Sequence, residues 1–144
     1  RSVSRGLGDV YKRQLFMKEL IKDAEIFAIG GLSYGAIEIM WRHYTHWTMV
    51  ITGGVCFYTL YKLSKGKEKM PILKKCLLGS AVITTAEFLT GIIVNMIFDM
   101  KVWDYSGLPL NLFGQVCLFY SFLWALLAIP IDAICKALRE RLEA

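Results

Sequence analysis

Four apolar stretches, at about 24–41, 47–63, 72–98 and 112–135, are joined by links too short to fold independently. Crossing the hydrocarbon core of a bilayer takes roughly 20 mainly apolar residues in a helix, so each stretch is a candidate span. Of the 144 residues 56% are hydrophobic, above the roughly 45–50% of ordinary globular chains. Disorder is excluded on that composition, and the surplus calls for lipid as a second solvent. The expected fold is all-α: a polytopic membrane protein with four transmembrane helices, forming a single domain over 17–144. Positions 103–111 are too polar, and too broken by Gly107 and Pro109, to cross. They predict a short interfacial or re-entrant segment before the fourth helix, with Asn111 as its N-cap. Pro130 should kink or end that helix. Residues 1–16 are basic and lack an apolar core, and they read as a disordered, non-native leader, with Met17 as the natural start.

Charge sets the expected orientation. The chain has 17 Lys and Arg against 12 Asp and Glu, a net +5, and Lys62, Lys65, Lys67, Lys69, Lys74 and Lys75 fall between the second and third stretches. By the positive-inside rule that loop is cytoplasmic, which puts both termini inside. Trp41, Tyr44, Trp47, Trp103 and Tyr105 then form an aromatic belt at the outer interface. The basic run has no accompanying nucleic-acid motif, so no nucleic-acid partner is expected and the lipid bilayer is the expected one. Cys56, Cys76, Cys117 and Cys135 are dispersed with neither zinc nor disulfide spacing.

Helical spacing gathers the unusual residues of each span onto one stripe: Gly31, Gly35, Glu38 and Arg42 in the first, and Ser80, Thr84, Glu87, Gly91 and Asn95 in the third. Span four offers Gly114, Cys117, Ser121, Ala125, Ala128 and Asp132. Small and hydroxyl side chains at this rhythm permit close helix approach and interhelical hydrogen bonds. The carboxylates ask for more. Glu87 lies about eleven residues, or roughly 16 Å, from the outer end of its span, near the midplane. A charge there costs at least about 2.5 to 3.5 kcal/mol and needs a partner, a proton or water. Two readings follow: a structural group bonded to Thr48, Thr52 or Ser121, or a polar transport site. Glu38 has Arg42 four residues on, and Asp132 has Lys136, so each has a local ion-pair partner. Glu87, Glu38, Arg42, Thr84 and Asn95 are the candidate intramembrane polar site.

His43 and His46 have a spacing that two metal ligands can share, but they fall in a short loop, and no metal site is expected. No serine has a nucleophile-elbow setting and no phosphate-binding loop is present, so the chain is expected to be neither an enzyme nor an ATPase, and to need no cofactor.

Three stretches, GGLSYGAIEIMWRHYTHWTMVITGGVCF (30–57), TTAEFLTGIIVN (84–95) and WDYSGLPLNLFGQVCL (103–118), resemble the small ABC-transporter permeases called type IV or CmpB-like. The resemblance covers nearly all of 17–135. It implies a multi-pass protein of the bacterial cytoplasmic membrane, acting as the membrane subunit of a transporter with any ATPase on another chain. Its Trp-Asp-Tyr-Ser, Pro-x-Asn and Asn-x-x-Gly-Gln elements mark Trp103, Asp104, Tyr105, Asn111 and Gln115 as a candidate outer-face motif. The coupling-loop pattern of better-known importers is not legible between the second and third spans. Four spans are few for alternating access, so the transporter reading also implies a homo-oligomer or further subunits. The alternatives are a non-transporting membrane assembly or regulatory protein, and then an intramembrane enzyme.

Overall fold

The computed structural model describes residues 2–143. Among them are four α-helices: α1 (Ser2–Arg42), α2 (Trp47–Ser64), α3 (Ile72–Gly91) and α4 (Leu118–Leu142). The end of α3 runs on as a π-helical stretch, Ile92–Ile97. Two short antiparallel strands, β1 (Asn111–Leu112) and β2 (Val116–Cys117), precede α4 in the register Asn111 to Cys117 and Leu112 to Val116.

Local chemistry accounts for the breaks. After Arg42 the chain turns at His43, which has φ 67° and returns its N–H to Ile39 O at 2.9 Å, as a left-handed residue closing a helix does. His46 caps α2, its Nδ1 accepting from Thr48 N at 3.3 Å. Pro71 stands at the N-cap of α3, where its missing N–H costs nothing.

Several sequence expectations need correction. Residues 2–16 are not unstructured: they extend α1, exposed over 3–16. Residues 112–117 form the hairpin instead of the first turns of the fourth helix, and Cys117, not Asn111, takes its N-cap position. Asn111 instead secures the hairpin turn, its Oδ1 accepting from Gly114 N at 3.0 Å and its Nδ2 donating to Leu108 O at 2.8 Å. Pro130 does not end α4, which continues to Leu142. Asp132 passes over Lys136 and pairs with Lys75 of α3 at 3.0 Å, because α3 brings its first turn alongside.

The helices pack as two pairs, α1 with α2 and α3 with α4, with looser contact between the pairs. Small residues make each pair close. A Cβ on Gly53 would lie 2.5 Å from Tyr34 Cβ, and one on Gly79 would lie 2.6 Å from Ala128 Cβ. Between α3 and α4, Ser80 Oγ donates to Ser121 O at 2.7 Å and Thr84 Oγ1 lies 2.9 Å from Ser121 Oγ. Three apolar clusters follow the bundle: Ile26, Phe57, Tyr61 and Cys135 at the lysine-rich end, Cys56, Leu60 and Ile83 in the middle, and Met49, Val94, Val102 and Trp103 at the opposite end. Ion pairs fasten the lysine-rich end: Glu143 to Lys22 and Lys65 at 3.3 and 3.1 Å, Lys62 to Asp23 at 3.3 Å, and Arg139 to Glu68 at 3.0 Å.

The outside of the bundle is greasy. Leu32, Met40, Leu77 and Phe122 are 69%, 81%, 62% and 60% exposed, more apolar surface than a water-soluble monomer tolerates. Two helices are long and apolar enough to cross a membrane, Ile72–Ile97 and Leu118–Leu142, with mean hydropathy 1.8 and 1.9. In α1 the acids Glu25 and Glu38, and in α2 the polar residues Tyr58, Tyr61, Lys62 and Ser64, offset the aliphatic content.

Candidate functional site

Glu87 is on the inner face of α3 and only 3% exposed. The hydroxyls expected to hold it are committed elsewhere. Thr48 Oγ1 lies 2.7 Å from His46 Nδ1, Thr52 Oγ1 donates to Thr48 O at 2.8 Å and meets Thr90 Oγ1 at 3.2 Å, and Ser121 Oγ pairs with Thr84. The backbone-directed bond of Thr52 is the usual resting place of a hydroxyl inside a helix. The indole N–H of Trp124 is near the Glu87 carboxyl but makes no hydrogen bond. Glu87 belongs to none of the ion pairs among the described residues.

The Glu87 side chain instead lines a cavity of about 320 Å³, walled by Tyr34, Ile37, Met49, Cys56, Ile83 and Trp124 among others. A second cavity of about 180 Å³ continues towards the opposite end of the bundle and shares Tyr34, Ile37, Met49, Trp124 and Leu127 with the first. Glu38 and Arg42 line this second space. Arg42 Nη2 lies 2.9 Å from Glu38 Oε2, and Tyr34 Oη donates to Glu38 Oε1 at 3.0 Å. The other arm of the guanidinium donates to Val102 O at 3.3 Å, and its plane lies 4.7 Å from the Tyr44 ring. Glu38 is thus satisfied by its own helix. Glu87 is not.

A run of aromatic rings follows the cavities. Tyr105 stacks on Tyr120 at 4.7 Å between centroids, Tyr120 lies 6.2 Å from Trp124, and Trp124 lies 6.2 Å from Tyr34. Such separations suit offset and tilted aromatic pairs.

The structure divides the expected site residues. It brings Glu87, Glu38 and Arg42 to the joined cavities. Thr84 is placed in the contact between α3 and α4, and Asn95 works on the hairpin, its Nδ2 donating to Gln115 Oε1 at 2.9 Å and its Oδ1 accepting from Val102 N at 2.7 Å. The expected outer motif is mostly internal scaffolding. Trp103 Nε1 donates to Gln115 O at 2.9 Å, Tyr105 N to Gly114 O at 2.7 Å, and Gln115 Nε2 to Phe113 O at 2.8 Å. Asp104 Oδ1 accepts from Ser106 N at 2.9 Å, and the bonds from the Ser106 backbone and side chain hold its carboxyl below the usual range. Trp103 and Tyr105 of this motif also reach the wall of the second cavity. Among the described residues no group of three or more His, Cys, Asp or Glu is placed to hold a metal ion.

The profile of a family described as "putative ABC-transporter type IV" matches residues 25–143, most of the chain. The chain belongs to this family. Family membership and the two apolar helices point to a membrane protein of a transporter, associated with other subunits such as an ATPase. No curated protein and no solved structure matches it.

Sequence reasoning missed Tyr34 and Trp124. Tyr34 was findable, since it precedes Glu38 by one helical turn on the same face. Trp124 falls beside the small-residue stripe of α4, and only the way the two helix pairs meet turns it towards Glu87.

Proposed function

We propose that this chain is the membrane-embedded subunit of an ABC-type transporter of the bacterial cytoplasmic membrane, and that Glu87 is the polar binding position on its transport path. In this reading all four helices cross the membrane, the lysine-rich end and both termini face the cytoplasm, and a separate chain hydrolyses ATP. The subunit performs no covalent chemistry. It works with at least one further membrane chain or a second copy of itself, because four helices offer little room to expose a site alternately to both sides.

The observation that carries the assignment is a buried carboxyl with no ion-pair partner that opens onto a cavity instead of onto protein. Ionisable groups inside membrane domains are costly and mark ion or substrate pathways. The apolar exterior of α1 and α2 supports two further spans, because Leu32, Ile39, Met40, Ile51 and Val55 are exposed along them.

Purified protein in liposomes tests this reading. With an imposed pH gradient and an entrapped pH dye, wild type should dissipate the gradient faster than Glu87→Gln, which should match protein-free liposomes. Equal rates for wild type and Glu87→Gln would overturn the role of Glu87 and favour a non-transporting assembly or regulatory protein.

A further inference from the structure

We infer that the two joined cavities form one binding site for a hydrophobic organic monocation, such as a quaternary ammonium compound, with its charge at Glu87 and its apolar body against Tyr34 and Trp124. The inference rests on the reading of Glu87 as a binding position and names the class of ligand.

Sign comes first. Three charged side chains line the combined space: Glu38, Arg42 and Glu87. Arg42 is neutralised by Glu38 at 2.9 Å, so the one carboxyl left without a counter-ion is that of Glu87. An anion would have to displace Glu38 from Arg42. A cation displaces at most the carboxyl proton of Glu87.

The wall then decides what kind of cation. A small inorganic ion needs six or more oxygen ligands to replace its water. Here it would find one carboxylate, and the Thr52 hydroxyl already donates to Thr48 O. An organic ammonium spreads its charge over methyl or methylene groups and needs fewer partners. It is also drawn to aromatic faces, which attract cations within about 6 Å of the ring centroid. Tyr34 and Trp124 flank the Glu87 cavity with ring planes at 57° to each other, forming two sides of a cage, and Tyr120 and Tyr105 extend the aromatic wall into the second cavity. A volume of about 320 Å³ is at the lower end of the range of small-molecule sites.

The route of access supports an amphiphile. Ile29, Ile37 and Ile134 line the first cavity and are 36%, 43% and 45% exposed. The cavity therefore opens sideways between α1 and α4, through an apolar surface. A hydrophobic cation that partitions into lipid can enter there, whereas a strongly hydrated solute cannot.

The test uses the full chain in lipid nanodiscs, titrated calorimetrically with benzyltrimethylammonium and with its uncharged isostere neopentylbenzene, against empty nanodiscs. Saturable binding of the cation is expected, with neopentylbenzene at least about tenfold weaker. That comparison needs no variant, so it holds even if a substitution misfolds. Glu87→Gln should weaken the cation by about tenfold or more, and Glu68→Gln, at the lysine-rich end, should leave it within about twofold. Equal affinity for both ligands would overturn the inference, marking a cavity that takes acyl chains by shape. Unchanged affinity in a folded Glu87→Gln would overturn it as well. Charge-selective binding in a protein that shows no Glu87-dependent flux removes the transport reading and upholds the site. Glu87-dependent flux without cation binding upholds transport and removes this ligand class.

Discussion

Glu38 and Glu87 are both buried acids, 8% and 3% exposed, and they differ in what their own helices give them. Glu38 has Arg42 one turn on and Tyr34 one turn back, so α1 satisfies it unaided. Arg42→Gln should therefore destabilise the protein by about 1–3 kcal/mol, since it leaves a buried carboxylate with one neutral donor. The double variant Glu38→Gln with Arg42→Gln should recover part of that loss in a denaturation series in detergent. Glu143 makes a second residue-level case. Partial burial pushes its carboxyl up, but hydrogen bonds from Lys65, Lys22 and Tyr61 outweigh this and hold it below its ordinary 4.5. A depressed carboxylate stabilises the fold above its unfolded value and loses that contribution as pH falls through the folded one. The melting-temperature gap between wild type and Glu143→Gln should be constant above about pH 5 and should close below pH 4.5. The sequence made both buried acids legible by their place in apolar stretches, together with the Arg42 partner of Glu38. It did not reveal where the hydroxyls went: Thr52 turns back to Thr48 O in its own helix, and Ser121 meets Thr84 only through the packing of α3 on α4.

At the scale of elements, the stripes of small residues read from helical spacing are the surfaces on which the helices meet. Gly79 against Ala128 makes this testable. Gly79→Ala adds a methyl where a Cβ would stand 2.6 Å from Ala128 Cβ, and overpacking of this kind costs about 1–3 kcal/mol. Ala128→Gly in the same chain should restore most of the loss, a coupling that a double-variant cycle measures directly. The hairpin before α4 was not legible. Residues 112–117 continue the apolar composition of the fourth span, and strands of two residues are too short to show a period. What shapes them is tertiary: Asn95 reaches from the π-helical turn to Val102 N and Gln115 Oε1. Asn95→Ala should free both groups and loosen the hairpin, read as a red shift of Trp103 emission in a chain whose other tryptophans are replaced by phenylalanine. The π-helix itself left no sequence signal, since Ile92–Ile97 reads as ordinary apolar helix.

For the whole molecule, the division into two helix pairs matters more than any single contact. The expected bundle of four apolar segments corresponds to four helices, yet their pairing, α1 with α2 and α3 with α4, could not be read from hydropathy. The lysine cluster was legible as one end of the molecule. Its counter-charges, Asp23, Asp132 and Glu143, come from distant parts of the chain, and folding alone brings them together, as it brings Arg139 to Glu68. One end is thus riveted across both pairs by charge, whereas the other is held by the apolar cluster of Met49, Val94, Val102 and Trp103 and by the Arg42 bond to Val102 O, with the cavities between the pairs. Held by several ion pairs, the lysine-rich end would serve as the hinge for any movement of one pair against the other. Any spreading that admits a guest should be smallest at this hinge and greatest at the far end, where it breaks the Arg42 bond to Val102 O. Spin labels on Met40 and Phe119 should therefore report a broad distance distribution, and labels on Leu20 and Ala137 a narrow one, in the same electron-resonance experiment.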